Sequence, residues 1–257
     1  MNFIVLLLAL LIGDLKTDVE KISVPRPAKS AANVQVGNYI ESELKSLGLQ
    51  VTRQKFPTGV NIIGTQKGKK PETIIVGCHY DSVRTTPGAD DNASGCAMTL
   101  DVARKLKGKK LNHTIKYVFF DNEEMGMFGS RYYARNMEST CDFMINFDMV
   151  GNLKLQDNPD TVVDGLFKKY PWAKAITFRQ GAGPSDHAPF QRKGIPFVWV
   201  FTGTHNRYHR TTDTPESLNY EGMGMISQYA MALILGIDGK TIDYDIILSL
   251  PILGERH

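Results

Sequence analysis

The stretch Thr73-Ile74-Ile75-Val76-Gly77-Cys78-His79 does most to restrict what this chain can become. A short β-branched, uncharged run of this kind reads as a strand buried on both faces, which requires covering layers on each side of a sheet. The pattern recurs. Thr114–Asp121 is a second buried strand that empties into Asn122-Glu123-Glu124-Met125-Gly126, Asp142–Phe147 is a third that ends at Asp148, and Ile195–Phe201 is a fourth. Between and after them lie stretches of helical periodicity at Ala93–Lys107, Phe128–Met137 and Tyr220–Gly236. Buried strands alternating with helices predict an α/β fold, a three-layer α/β/α sandwich around a central mixed, mostly parallel sheet.

The remaining elements fit around that frame. Pro27–Leu47 reads as a helix with Pro27 at its first position, Val34, Tyr39, Ile40, Leu44 and Leu47 on its apolar face and Gly48 as its stop. Leu49–Phe56 alternates like a strand, and Val60–Thr65 pairs with it or with the next one. Gly68-Lys69-Lys70-Pro71 is a turn. A short helix is expected at Asp164–Tyr170 and an edge strand at Ile176–Arg179. With 257 residues and 42% hydrophobic content the chain can bury a full core, and residues 14–257 read as a single domain.

Residues 3–12 are uninterruptedly apolar, too short a run to span a membrane but suited to the core of a secretory signal. Residues 1–13 are therefore expected to be a signal peptide of a secreted protein, although no Lys or Arg precedes the run and no small-x-small cleavage site follows. A net charge of +3 is too weak to argue for nucleic acid, and Lys107-Gly108-Lys109-Lys110 reads as a solvated helix end. Of the three cysteines, Cys78, Cys96 and Cys141, the first two fall in segments expected to be buried, so free core thiols are expected rather than a disulfide framework. Asn112-His113-Thr114 is a glycosylation sequon at an expected surface turn. Asn92-Ala93-Ser94 is a second, regarded as coincidental because of where it lies.

The strand ends carry the chemistry. His79 and the Asp90-Asp91 pair, Glu123-Glu124, Asp148 and His209 all map to one edge of the predicted sheet, the edge where open α/β folds bind ligands. Each alone reads as a cap, a solvated loop or a hydrogen-bonded histidine. Together they form a set of imidazole and carboxylate donors that suits zinc, with cobalt or manganese as substitutes. Two histidines and three carboxylates exceed the three protein ligands of a usual catalytic zinc. Shared between two ions through one bridging carboxylate, they give each ion three. Two Zn²⁺ (+4), three carboxylates (−3) and a bridging hydroxide (−1) also sum to zero, which favours burial. Asp81, two residues past His79, is placed to accept the ring's other N–H and fix its tautomer.

The ordered set His79-Tyr80-Asp81-Ser82, Gly88-Ala89-Asp90-Asp91-Asn92-Ala93-Ser94-Gly95, Asn122-Glu123-Glu124-Met125-Gly126, Asn146-Phe147-Asp148-Met149, Ser185-Asp186-His187 and Tyr208-His209-Arg210-Thr211-Thr212-Asp213-Thr214 resembles the co-catalytic di-zinc aminopeptidase family. Its relatives include glutamate carboxypeptidase II, the transferrin receptor ectodomain and glutaminyl cyclase. The resemblance runs over residues 25–237 and implies a zinc peptidase domain with two Zn²⁺ per chain, acting on peptides. It implies that Asp91 bridges the ions, with a cis peptide bond after it, that Glu123 is the general base and that Glu124 is a ligand. His79, Asp91 and Asp148 would hold one ion, and Asp91, Glu124 and His209 the other. Tyr208 would polarise the scissile carbonyl, and Met149 with Phe201-Thr202-Gly203 would line the pocket for the first side chain.

Three other readings compete. Ser185-Asp186-His187 has triad residue types, but contiguous side chains do not converge, no Gly-x-Ser-x-Gly elbow exists, and a loop supporting the pocket is expected instead. Glutaminyl cyclisation by the same fold with a single zinc is the alternative activity, and a non-catalytic binding ectodomain is the other class. His205 lacks the sequence context of His209. His113 and His257 carry no expected function. Asp213 is expected to steady the His209 loop or to act as a local cap.

Overall fold

The computed structural model describes residues 14–153, 160–164 and 183–239. The expected leader at 1–13, the helix expected from Asp164 to Tyr170 (beyond Asp164 itself) and the strand expected at Ile176–Arg179 fall outside those residues. Among the described residues seven strands form one sheet: β1 (Gln50–Phe56), β2 (Gly59–Gln66), β3 (Thr73–His79), β4 (Thr114–Phe120), β5 (Cys141–Phe147), β6 (Asp160–Asp164) and β7 (Phe197–Phe201). Their order is β1-β2-β4-β3-β5-β7-β6. Strands β4, β3, β5 and β7 run parallel, while β1–β2, β2–β4 and β6–β7 are antiparallel.

Helices cover both faces. They are α1 (14–22), α2 (Ala31–Ser46), α3 (Gly95–Leu106), α4 (Phe128–Arg135), α5 (Ala188–Gln191) and α6 (Tyr220–Ile237). One core packs α1, α2, α3 and α6 on the sheet through Val19, Ile40, Leu100 and Leu233 against Ile74, Val76 and Ile145. The other packs α4 and α5 through Tyr133, Ala134 and Phe190 against Ile75, Val118, Met144 and Phe197. Because both faces are covered, β3 is buried at all of its positions, which is why it reads as an unbroken apolar run. The chain steps from β3 sideways to β4, then back past β3 to β5. Right-handed crossovers in opposite directions must put α3 and α4 on opposite faces. The carboxyl end of β3 is therefore a topological switch point, and His79 stands on it.

Local details differ from expectation at α2. The helix starts at Ala31, not Pro27, because Ser30 caps it by accepting from the Asn33 N–H at 3.0 Å. Val36, Ile40 and Leu44 form the buried stripe. Val34, two positions from Val36, points away from it and is half exposed. Gly48 (φ +78°) follows the end of α2 in the left-handed conformation that stops a helix. The three cysteines are free and buried, Cys78 and Cys96 as their segments imply. Asn112 is not the free surface turn its sequon implies. Its amide donates to the Asp238 carbonyl at 2.7 Å, and its N–H to the Asp238 carboxylate.

The site edge is assembled by a tight approach of α3 to β5. The Asn92 amide donates to the Phe147 carbonyl and accepts from the Gly95 N–H, both at 2.9 Å. A Cβ on Gly95 would collide with Asn92 Oδ1 and lie 2.7 Å from the Phe147 carbonyl oxygen. Helix propensity alone favours alanine over glycine by about 1 kcal/mol. Gly95→Ala is nevertheless expected to destabilise the chain by about 1–3 kcal/mol through overpacking, read as a lower urea midpoint at unchanged slope. A raised midpoint would show that this contact does not hold the edge together.

Candidate metal centre

Five predicted donor residues meet at the switch point. His79 is the last residue of β3, Asp148 follows β5 directly, and Glu124 lies in the loop after β4. Asp91 is presented by a π-helical turn, Ala89–Ser94, in which Asp91 and Asn92 leave helical geometry, and the Asp91–Asn92 peptide bond is cis. His209 does not stand at a strand end. It comes from the long loop between β7 and α6, with φ +58°.

The geometry separates these donors into two sets that share one residue. His79 Nε2 lies 3.2 Å from Asp91 Oδ1 and 3.5 Å from Asp148 Oδ1. His209 Nε2 lies 3.0 Å from Asp91 Oδ2 and 3.2 Å from Glu124 Oε2. The two oxygens of Asp91 thus face two different histidines. Ligand atoms of His79, Asp91 and Glu124 all fall within 4.8 Å of one another. Despite these short separations, His209 Nε2 and Glu124 Oε1 are buried without a hydrogen-bond partner. Donors that converge without bonding to each other are arranged around a point between them, as a divalent cation requires.

Electrostatics favour the same reading. The adjacent carboxylates of Asp91 and Glu124 push His209 up to about 10 from an ordinary 6.5, against the opposing effect of burial. For His79, burial is the largest influence and lowers its pKa, yet Asp148, Asp81 and Asp91 together overcome it and hold it well above the usual value. Burial, with Asp186, Asp148 and Glu124 adding to it, raises the Glu123 carboxyl despite the opposing charge of His79. The cluster draws positive charge to the positions where ligand atoms converge.

Other carboxylates hold the donors rather than joining them. Asp213 accepts the backbone N–H groups of Asp90 (2.9 Å) and Asp91 (3.1 Å), so it fixes the Asp91 turn instead of acting only on the His209 loop. Asp90 turns away, accepting from the Gly151 N–H at 2.7 Å and facing His205 Nε2 at 2.8 Å. Asp81 corrects a second expectation. The His79 Nδ1 partner is the Asp81 backbone carbonyl at 3.2 Å, with the nearer carboxylate oxygen at 3.6 Å. The Asp81 carboxylate instead accepts the N–H groups of Glu123 (3.0 Å) and Glu124 (3.3 Å), which fixes the acidic loop. Ser185 donates to Asp148 Oδ2 at 2.6 Å, while His187 stacks on Phe197 and Trp199, so no triad forms. His113 is buried between Asp238 and Asp142, far along the chain from this edge.

A cavity of about 310 Å³ opens onto the donors. Glu123, Met149, Phe201 and Tyr208 line it, joined by Trp199 and Thr204, which sequence reading passed over. Trp199 lies inside β7 and reads as core. Strand alternation, however, sets it on the Phe197 and Phe201 face, where it stacks on Phe201 at 4.9 Å. Tyr208 stacks on His209 with centroids 3.7 Å apart and is 40% exposed.

Comparison with known proteins agrees with this geometry. A family profile described as Peptidase family M28 matches residues 61–234. Aminopeptidase YwaD of Bacillus subtilis is 31% identical over 69% of this chain and 44% of its own length. The chain spans about half the length of the curated relatives it matches. Among solved structures, the zinc aminopeptidase BSAP from Bacillus subtilis shares the fold with a TM-score of 0.78 at 19% identity, over 90% of this chain and 95% of that one. A glutaminyl cyclase from Porphyromonas gingivalis does so at 0.73 and 21%, over 88% and 98%.

The His187 stack behind the cavity wall yields a pH prediction. Burial lowers this imidazole from 6.5 to about 4. Its neutral form supports the fold fully above the unfolded value, and that support is lost as pH falls from about 6.5 toward 4. His187→Phe is expected to remove about 2 kcal/mol of the stability difference between pH 7 and pH 5. Urea titrations of both chains at the two pH values check this, and an unchanged difference would refute it.

Proposed function

The chain belongs to peptidase family M28, and from that premise we propose that it is a zinc-dependent exopeptidase, an aminopeptidase cleaving the N-terminal peptide bond of peptides. The observation that carries the reading is the divided geometry of Asp91, one oxygen toward His79 and the other toward His209. In this reading two Zn²⁺ are held per chain, one by His79, Asp91 and Asp148, the other by Asp91, Glu124 and His209, with cobalt or manganese able to substitute. Bound zinc would lower the pKa of a water toward neutrality and polarise the carbonyl under attack.

The protein groups have distinct tasks. Glu123 faces the cavity, its loop held by Asp81, and takes the proton of the attacking water before passing it to the leaving amine. The Tyr208 hydroxyl donates to the carbonyl oxygen as negative charge develops there. Met149 and Phe201, with Trp199 behind, form an apolar wall that favours an apolar first residue. Among the described residues no helix is long and apolar enough to cross a membrane. The apolar run at 3–12 is read as the leader of a secreted enzyme.

Glutaminyl cyclisation is the second reading, because a cyclase shares the fold. Five donors divided around Asp91 favour two ions over the single zinc of the cyclase reading. Purified protein is expected to carry about two zincs per chain by elemental analysis and to lose activity on chelation. Glu123→Ala should keep the zinc while kcat falls about 10²–10⁴-fold, whereas Asp91→Ala should lose both zinc and turnover. Near-native turnover in Glu123→Ala would overturn the base assignment. Free-amino peptides should be shortened and amino-blocked ones spared. Pyroglutamate formed from an N-terminal glutaminyl peptide without shortening would replace this reading with the cyclase.

A further inference from the structure

Arg26 lies outside the residues matched by the family profile, between α1 and α2. It is fully buried, and no other Arg or Lys among the described residues is. No carboxylate among those residues pairs with it. Every one of its side-chain hydrogen bonds ends on a backbone carbonyl: Nε donates to Tyr80 at 2.7 Å, Nη1 to Pro87 at 2.6 Å and Val24 at 3.1 Å, and Nη2 to Gly88 at 2.9 Å. Its own N–H donates to Ser82 Oγ at 3.0 Å, and its carbonyl accepts from the Ser82 N–H at 3.3 Å.

These partners are not scattered. Tyr80 and Ser82 begin the loop immediately after His79, and Pro87 and Gly88 end it just before the turn that carries Asp91. One guanidinium therefore ties both ends of the only covalent link between His79 and Asp91. A buried cation without an ion pair is costly. Burial lowers the guanidinium's pKa, and the fields of Asp81, Asp91 and Glu124 are among those opposing this. A rigid planar fork is the one cationic side chain able to satisfy several fixed carbonyls at once, and the ammonium of lysine is not equivalent.

We propose that Arg26 is a positioning residue of the metal centre: by clamping residues 80–88 it sets His79 and Asp91 at the separation a shared pair of cations needs, before any cation binds. The inference rests on the ligand reading above. A purely architectural arginine would stabilise the fold without altering metal affinity, and Arg104 supplies that comparison. Arg104 on α3 ties Asp18 of α1 and Glu43 of α2 and contacts neither the 80–88 loop nor a donor.

The test measures zinc affinity of the full chain by competition with a chromophoric chelator, alongside circular dichroism and amide exchange of the metal-free protein. Arg26→Met is expected to raise the zinc Kd about 10–100-fold, with Arg26→Lys between it and wild type. Residues 80–91 should exchange faster in both, with secondary structure kept. Arg104→Met is expected to lower Tm while its zinc Kd stays within about twofold of wild type. A folded Arg26→Met with wild-type Kd, or an Arg26→Lys indistinguishable from wild type, overturns the clamp. If both Arg26 variants fail to fold, Ser82→Ala decides, since it removes the acceptor of the Arg26 backbone N–H, loosening the hold of Arg26 on the start of the loop while its guanidinium stays in place. A severalfold rise in Kd supports the proposal, and no change makes Arg26 a folding residue only. A wild-type chain that binds no zinc removes the ligand reading itself, and this inference with it.

Discussion

Buried negative charge is the constraint around which this edge of the sheet is built. Asp81, Asp90, Asp91, Asp148, Asp186 and Asp213 are all buried in or beside the centre, and Glu124 is partly buried beside them. In a medium of low dielectric such a group is tolerated only if each carboxylate finds hydrogen-bond donors or positive charge. The chain supplies donors to those that hold the scaffold: Asp213 takes the amides of Asp90 and Asp91, Asp81 those of Glu123 and Glu124, and Asp90 that of Gly151. It leaves atoms of the donor set facing histidines and an interior point. Backbone amides therefore fix the supporting acids, and in the proposed reading the charge of a bound ion satisfies the rest.

The topology explains why this concentration falls where it does. Reversal of direction at β3 opens a crevice between the loops after β3 and β4, and β5 lies on the other side of β3. Three of the five donor residues arrive on segments directly following adjacent parallel strands, so sheet spacing sets their separation. The other two, Asp91 and His209, sit on loops and depend on hydrogen bonds for position. Asp213 joins those two loops, since it follows His209 closely in sequence and binds the Asp91 turn. Thr86 adds to the tie by donating to the Arg210 carbonyl at 2.7 Å.

Much of this was legible in the linear pattern. The largely apolar runs at 73–78 and 114–121 marked central strands, and the polar residues at their ends marked the edge where the donor residues meet. The closing helix was read within a residue or so because Tyr220–Ile237 is strongly apolar at helical spacing and capped by Asn219. The start of α2 was misread because Pro27 is a good first helical residue in isolation. Arg26, beside it, is instead drawn into contact with Tyr80 and Gly88, and the helix waits for Ser30. Strand β6 went unread for a similar reason, since its place at the edge depends on pairing with β7.

The donor types, their order and the α/β frame were determined by the sequence itself, because burial on two faces and the chemistry of imidazole and carboxylate are local properties of residues. Which acid points inward was not. Asp90 and Asp91 are identical side chains on neighbouring residues, and only the amides held by Asp213, the approach of His205 and the shape of the turn make one face the histidines and the other face Gly151. The same holds for the Asp81 carboxylate, which serves Glu123 and Glu124 rather than His79. Such choices rest on contacts between segments far apart in the chain, and those exist only once the sheet has brought the segments together.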